Sequence, residues 1–110
     1  ERFASAIESG KTVIMDFTAE WCLNCKALEE GVLSNEKITR LFAEDDVVPM
    51  KVDITGNNPW GKKKLKEIGN LTIPLLVIYS PEGKAVFRSD FYTIDQVVRG
   101  IEAARKPKDG

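Results

Sequence analysis

The chain reads as an α/β domain, with helices packed on a small mixed β-sheet. Three features predict this class. "TVIMDFT" (Thr12 to Thr18) and "LLVIY" (Leu75 to Tyr79) are short β-rich apolar runs of the kind that form fully buried strands. Segments with helical spacing and cap residues lie between and after them. The turn "SPEG" (Ser80 to Gly83) folds the chain back into a hairpin, so the sheet carries antiparallel as well as parallel pairing.

Residues 2–9 have Phe3 and Ile7 one helical turn apart, and Gly10 ends that helix. After the first strand a helix is predicted from Leu23 to about Glu30, interrupted by Gly31. Ser34 or Asn35 caps the next, whose face is Ile38, Leu41 and Phe42. "VVPMKVDI" (Val47 to Ile54) alternates, with Val48, Met50, Val52 and Ile54 on one face. Pro49 lacks a backbone donor and predicts an edge strand. "TGNNPWG" reads as a loop in which Asn58 caps a helix and Pro59 opens it. That helix runs to about Ile68 and stops at Gly69. "KAVFR" (Lys84 to Arg88) returns as the hairpin partner of Leu75–Tyr79. Thr93 and Gln96 form a capping box before a helix with Ile94, Val97, Val98 and Ile101 on one stripe. The strand–helix–strand unit implies a parallel pair with a right-handed crossover.

A length of 110 residues suits one domain, spanning 1–110 with a polar tail at 106–110, and 43% hydrophobic residues supply a core. The net charge of −1 gives no footprint for nucleic acid or an anionic membrane surface. No apolar run approaches the ~20 residues that cross a bilayer. The chain opens at Glu1 without a signal peptide, and we expect it to be a piece of a longer protein.

Chemistry concentrates in Cys22-Leu23-Asn24-Cys25, the only two cysteines, in a chain with no histidine. A zinc site needs four ligands, so two thiols would require a second chain or carboxylates. A structural disulfide across two intervening residues would constrain the unfolded chain little. A redox couple has a mechanism. Cys22 falls where a strand ends and a helix begins, and free N–H groups there favour a thiolate. Cys25, one turn on, is placed to resolve a mixed disulfide formed by Cys22.

"MDFTAEWCLNCK" resembles the active-site segment of the thioredoxin superfamily. "DFTAEWCLNCKALEEGVLSNEKI", with the later "IPLLVIYSPEG", resembles more closely the C-terminal domain of the DsbD family of thiol:disulfide interchange proteins, over roughly Val13 to Ala104. The resemblance implies a thioredoxin-like fold, a central mixed sheet flanked by helices, and a protein-disulfide reductase without cofactor or metal. It implies that Cys22 and Cys25 are the redox pair and that Trp21 precedes it. It makes Pro74 a cis proline facing the disulfide, and Ile73 the residue whose backbone pairs with a bound substrate strand. Asp16 matches the buried acid behind the second cysteine, and Glu29 an acidic position of the DsbD-type domain. The implied partners are a transmembrane domain and an N-terminal periplasmic domain of the same protein, and periplasmic thiol–disulfide proteins beyond. The implied location is the periplasmic side of the bacterial inner membrane. The chain departs from the pattern at two places. Leu23-Asn24 replaces the usual Gly-Pro, and Pro49 falls where thioredoxins carry a lysine near the buried acid, with Lys51 two residues on.

Independently of the family, Asp16 is conspicuous between Met15 and Phe17, because a carboxylate in a buried strand is costly unless paired or protonated. The bland alternative is a strand with one wet face. Glu29 lies four residues after Cys25 on the same helix face, and its bland alternative is a surface pair with Lys26. Trp21 reads as a docking surface beside the nucleophile, or else as core. Lys62, Lys63, Lys64 and Lys66 read as a solvated helix face, or else as a partner-docking patch, and Asn70-Leu71-Thr72 as a chance glycosylation sequon. The rival functions are a free-standing general disulfide reductase, a thiol oxidase and a non-catalytic binding module. An uncharged Leu23-Asn24 speaks against the oxidase, since nothing between the cysteines stabilises a strongly acidic thiolate.

Overall fold

The computed structural model describes residues 2–56, 59–69 and 73–105. The predicted Asn58 cap, the Asn70–Thr72 sequon and the polar tail at 106–110 lie outside the described residues. The elements run α1 (Arg2–Glu8), β1 (Thr12–Thr18), α2 (Leu23–Leu28) with a wide π-turn (Glu29–Leu33), α3 (Glu36–Phe42), β2 (Val47–Asp53), α4 (Pro59–Ile68), β3 (Leu75–Tyr79), β4 (Ala85–Ser89) and α5 (Ile94–Arg105). The sheet order is β2-β1-β3-β4. β1 pairs parallel with β2 and antiparallel with β3, and β3 pairs antiparallel with β4. This is the predicted mixed sheet, and Pro49 does lie on an edge strand.

Both faces of the two central strands, β1 and β3, are covered. Val13, Met15 and Phe17 of β1 point into a core with Met50, Val52, Leu65, Val77 and Ala6. Ile14 points the other way, into a core with Leu28, Ile38, Ile78, Tyr92, Val97 and Ile101. The two-residue period of a strand therefore assigns Asp16 to the second face, under helices and not toward bulk water. β1 has no wet face.

Local chemistry explains most boundaries. Gly10, Gly69 and Gly83 carry positive φ and end α1, end α4 and close the hairpin turn, where Gly83 N–H donates to Ser80 O at 2.8 Å. Asn35 caps α3, its Oδ1 accepting from Lys37 N–H at 2.9 Å. Thr93 and Gln96 make the reciprocal capping box, at 3.0 and 3.2 Å. Lys62, Lys63 and Lys66 are exposed, but Lys64 lies 4.2 Å from the centre of the Phe3 ring, so it is not simply solvated.

One boundary differs from expectation. Gly31 does not end the second helix, which widens into the π-turn and continues to Leu33, with Ser34 N–H reaching Glu29 O at 2.9 Å. A glycine terminates a helix by adopting positive φ, and Gly31 does not.

The second core makes a testable demand at Gly100 of α5. A Cβ there would lie 2.8 Å from Ile78 Cδ1 and 3.3 Å from Phe87 Cγ. Gly100→Ala is expected to lower stability by about 1–3 kcal/mol through overpacking, despite alanine's better helix propensity. Urea denaturation measures it, and an unchanged or increased midpoint would show that Ile78 and Phe87 yield.

Candidate active site

β1 delivers the chain to a tight turn, closed by Cys22 N–H donating to Ala19 O at 3.1 Å. Cys22 is the N-cap of α2, with extended backbone (φ −96°, ψ 99°). Its Sγ accepts from Cys25 N–H at 3.1 Å. That bond is the local reason for a favourable thiolate, since an N–H aimed at sulfur favours its charged form. A disulfide joins Cys22 and Cys25, with Cα atoms 5.3 Å apart. Both residues are buried, Cys25 more deeply, with its Sγ 3.9 Å from Phe17 O. Ile54 and Ile73 pack against the pair.

Exposed apolar side chains flank Cys22 in the chain and stand at the neighbouring groove. Trp21 is 63% exposed, Leu23 80% and Phe91 73%. Trp21 is therefore not core. Ile73 and Pro74, joined by a cis peptide, line a groove of about 520 Å³ whose walls are Ala27 and Leu28 of α2 and Asp90 and Phe91 from the β4–α5 loop. Nothing in the sequence singles out Phe91. Its exposure is a tertiary property, and only the approach of that loop to α2 brings it here.

Asp16 and Glu29 meet in a separate cleft of about 410 Å³, flanked by Ile14, Leu33, Phe42 and Lys51. Burial, then the charge of Glu29, raises the Asp16 carboxyl from 3.8 to about 7, with a hydrogen bond to Glu29 adding to the rise and Lys51 opposing it. Glu29 Oε1 lies 3.6 Å from Lys51 Nζ, and its buried Oε2 takes no bond from an N–H or hydroxyl of the described residues. A protonated Asp16 is the donor that suits it. Asp16 thus keeps its proton up to about pH 7. Burial first, then these two carboxylates, pushes the hydroxyl of nearby Tyr92 upward. Asp16 immediately precedes Phe17, whose carbonyl is the one beside Cys25 Sγ. Glu29 makes its ion pair with Lys51 and not with Lys26.

Lys51 is the second residue whose place the sequence pattern does not reveal. The likeness to thioredoxins puts Pro49 where they carry a lysine; Pro49 pairs with Ile14 and lines the same cleft, while Lys51 is the Cα partner of Asp16. Parallel in-register partners share a sheet face, so Lys51 lies beside the carboxyl pair. Aligning the first hydrogen-bonded residues of β1 and β2, Thr12 with Val47, would have found it.

The sequence pattern of the family described as thioredoxin-like matches residues 1–81. The chain belongs to the thioredoxin-like family. Among relatives, this thioredoxin-like chain is 32% identical over 92 residues to the thiol:disulfide interchange protein DsbD of Campylobacter jejuni (strain RM1221), covering 84% of the chain and 16% of that protein. It is 32% identical over 83 residues to DsbD of Yersinia enterocolitica, covering 76% of the chain and 14% of that protein. The chain spans about a sixth of the length of these relatives. In structure it is similar to the oxidised C-terminal domain of Neisseria meningitidis DsbD, with a TM-score of 0.70 at 24% identity over 94% of this chain and 93% of that one. It is also similar to the short form of spinach chloroplast thioredoxin f, with a TM-score of 0.70 at 28% identity over 94% of this chain and 86% of that one. The fold is thioredoxin-like, and the Cys22–Cys25 couple gives this family member the chemistry of thiol–disulfide oxidoreduction.

Proposed function

We propose that the chain is a protein-disulfide reductase that takes electrons from a membrane-embedded domain and passes them to periplasmic disulfide partners. The donor and the first acceptor, an N-terminal periplasmic domain, belong to the same longer protein, on the periplasmic side of the bacterial inner membrane. The observation that carries the chemistry is the Cys22–Cys25 disulfide at the opening of α2, with Cys25 N–H on Cys22 Sγ. The similarity to DsbD, over a sixth of its length, supports a domain that works beside others.

In the reduced chain the Cys22 thiolate attacks one sulfur of the partner's disulfide. That S–S bond breaks, and the departing partner thiolate takes up a proton. Cys25 then loses its proton and attacks Cys22 Sγ, releasing the second partner thiol and forming the Cys22–Cys25 disulfide. Two electrons have moved to the partner. Trp21, Leu23 and Phe91 provide an apolar docking rim, and Ile73 and Pro74 the groove floor along which an extended partner segment lies. Asp16, beside Glu29, holds the proton that accompanies the exchange.

The potential tests the direction. With no charge between the cysteines, the couple is expected near thioredoxin, about −270 mV, rather than near a strong oxidant such as DsbA, about −120 mV. Equilibration against glutathione measures it. A value at the oxidant end would reverse the assignment, and failure to reduce insulin would leave a binding module.

A further inference from the structure

We infer that Asp53 and Thr55, at and beyond the end of β2, form a brace that positions the turn carrying Trp21 and Cys22. Asp53 ends β2 opposite Thr18, the last residue of β1, and Ile54 N–H extends the pairing to Thr18 O at 2.8 Å. Asp53 Oδ1 then accepts twice from Thr55, from its N–H at 2.8 Å and from its hydroxyl. With its proton committed to Asp53, the Thr55 hydroxyl presents lone pairs outward. Glu20 N–H donates to that oxygen at 2.7 Å, across 35 residues of sequence.

Glu20 lies inside the turn closed by Cys22 N–H and Ala19 O. The Glu20–Thr55 bond ties the middle of this turn to the segment beyond β2. The polarity of this hydrogen-bond chain is fixed from the acceptor end. Asp53, held below the usual carboxylate range by its bonds from Thr55, is an acceptor only. Thr55 must then donate to Asp53 and accept from Glu20. The cysteine sulfur has its own anchor in Cys25 N–H. The residue that depends most on the brace is therefore Trp21, which follows Glu20 and is largely exposed. Thr55 and Asp53 are positioning residues: they hold the docking rim in register with the sulfur without touching it.

This role rests on the proposed exchange chemistry of Cys22, so its test has one readout that uses exchange and one that does not. Thr55→Val removes the hydroxyl at constant shape, and Thr55→Ser keeps it. In insulin reduction, Thr55→Val is expected to raise KM by about threefold to tenfold with kcat little changed, and Thr55→Ser to behave like the parent chain. The rate with a small disulfide, oxidised glutathione, should not move, because it needs no docking rim. Amide hydrogen exchange at Glu20, read by NMR, should accelerate by a similar factor in Thr55→Val and not in Thr55→Ser. Thr55→Ala repeats both measurements if the valine variant does not fold. Unchanged Glu20 protection in Thr55→Val, or an equal loss in Thr55→Ser, would overturn the brace. Lost protection with an unchanged KM would overturn its role in docking. A parent chain that reduces neither disulfide would defeat the proposed function instead, and the amide readout alone would then decide the brace.

Discussion

Cys25→Ser is expected to trap partner proteins as mixed disulfides, while Cys22→Ser traps almost none and loses exchange down to the uncatalysed background. The division follows from position. Cys22 caps α2, its sulfur accepts the Cys25 N–H, and its neighbours Trp21 and Leu23 face solvent. Cys25 is 2% exposed and sits inward against the Phe17 carbonyl. A partner disulfide can reach the first sulfur from the docking rim, whereas the second is reached from within the chain. Serine at 25 leaves attack intact and removes the thiol that completes the exchange. Non-reducing electrophoresis of each variant, mixed with oxidised periplasmic extract, displays the adducts. Equal trapping by both variants would refute the division of roles. Adducts lacking any DsbD-type N-terminal domain would leave a disulfide reductase but remove the proposed partner.

Asp16→Asn is expected to stabilise the oxidised chain in a strongly pH-dependent way. The folded-state carboxyl titrates at about 7, against 3.8 ordinarily, chiefly because burial disfavours its charge and secondly because Glu29 repels it. Between those two values the folded chain retains a proton that the unfolded chain has released. Stability therefore falls as pH rises through that window and levels off above about 7. Below about pH 4 both states are protonated and the penalty is absent. The groups facing the carboxyl are Glu29, Lys51 and, more remotely, Tyr92. Asparagine cannot ionise, so its gain should grow from near zero at pH 4 to about 2–4 kcal/mol at pH 8. Urea denaturation across that range measures it. A gain that ignores pH would assign the effect to packing. In the reduced chain the same carboxylates should also hold the Cys22 thiol up, so Asp16→Asn and Glu29→Gln should each lower its pKa. Thiolate absorbance against pH reads this, and no change in either variant would place both carboxylates electrostatically out of reach.

The helix and strand boundaries are largely legible in the sequence because they are local. Apolar runs mark Thr12–Thr18 and Leu75–Tyr79 to the residue, and a four-residue stripe with its capping box marks α5. Gly31 misleads because glycine permits a helix stop without imposing one. Whether it takes positive φ depends on the residues after it, and here the π-turn carries the chain to Leu33. The apolar neighbours of Asp16 predict its burial, but the outcome needed both faces of β1 to be covered.

By itself the sequence determined the α/β class, the order of elements, the edge position of β2 through Pro49, and the redox pair at a strand-to-helix junction. These follow from period, caps and the spacing of two thiols, all encoded within a few residues of one another. Only the tertiary structure decided that Asp16, Glu29 and Lys51 share one cleft, that Phe91 walls the groove beside Pro74, and that Thr55 braces Glu20. Each of those joins residues far apart in the chain. Periodicity names the face on which a side chain lies, but register and helix packing decide which distant side chain it meets there. The raised Asp16 carboxyl is a property of that meeting, since the residue alone specifies neither its burial, its repelling neighbour nor the lysine beside it.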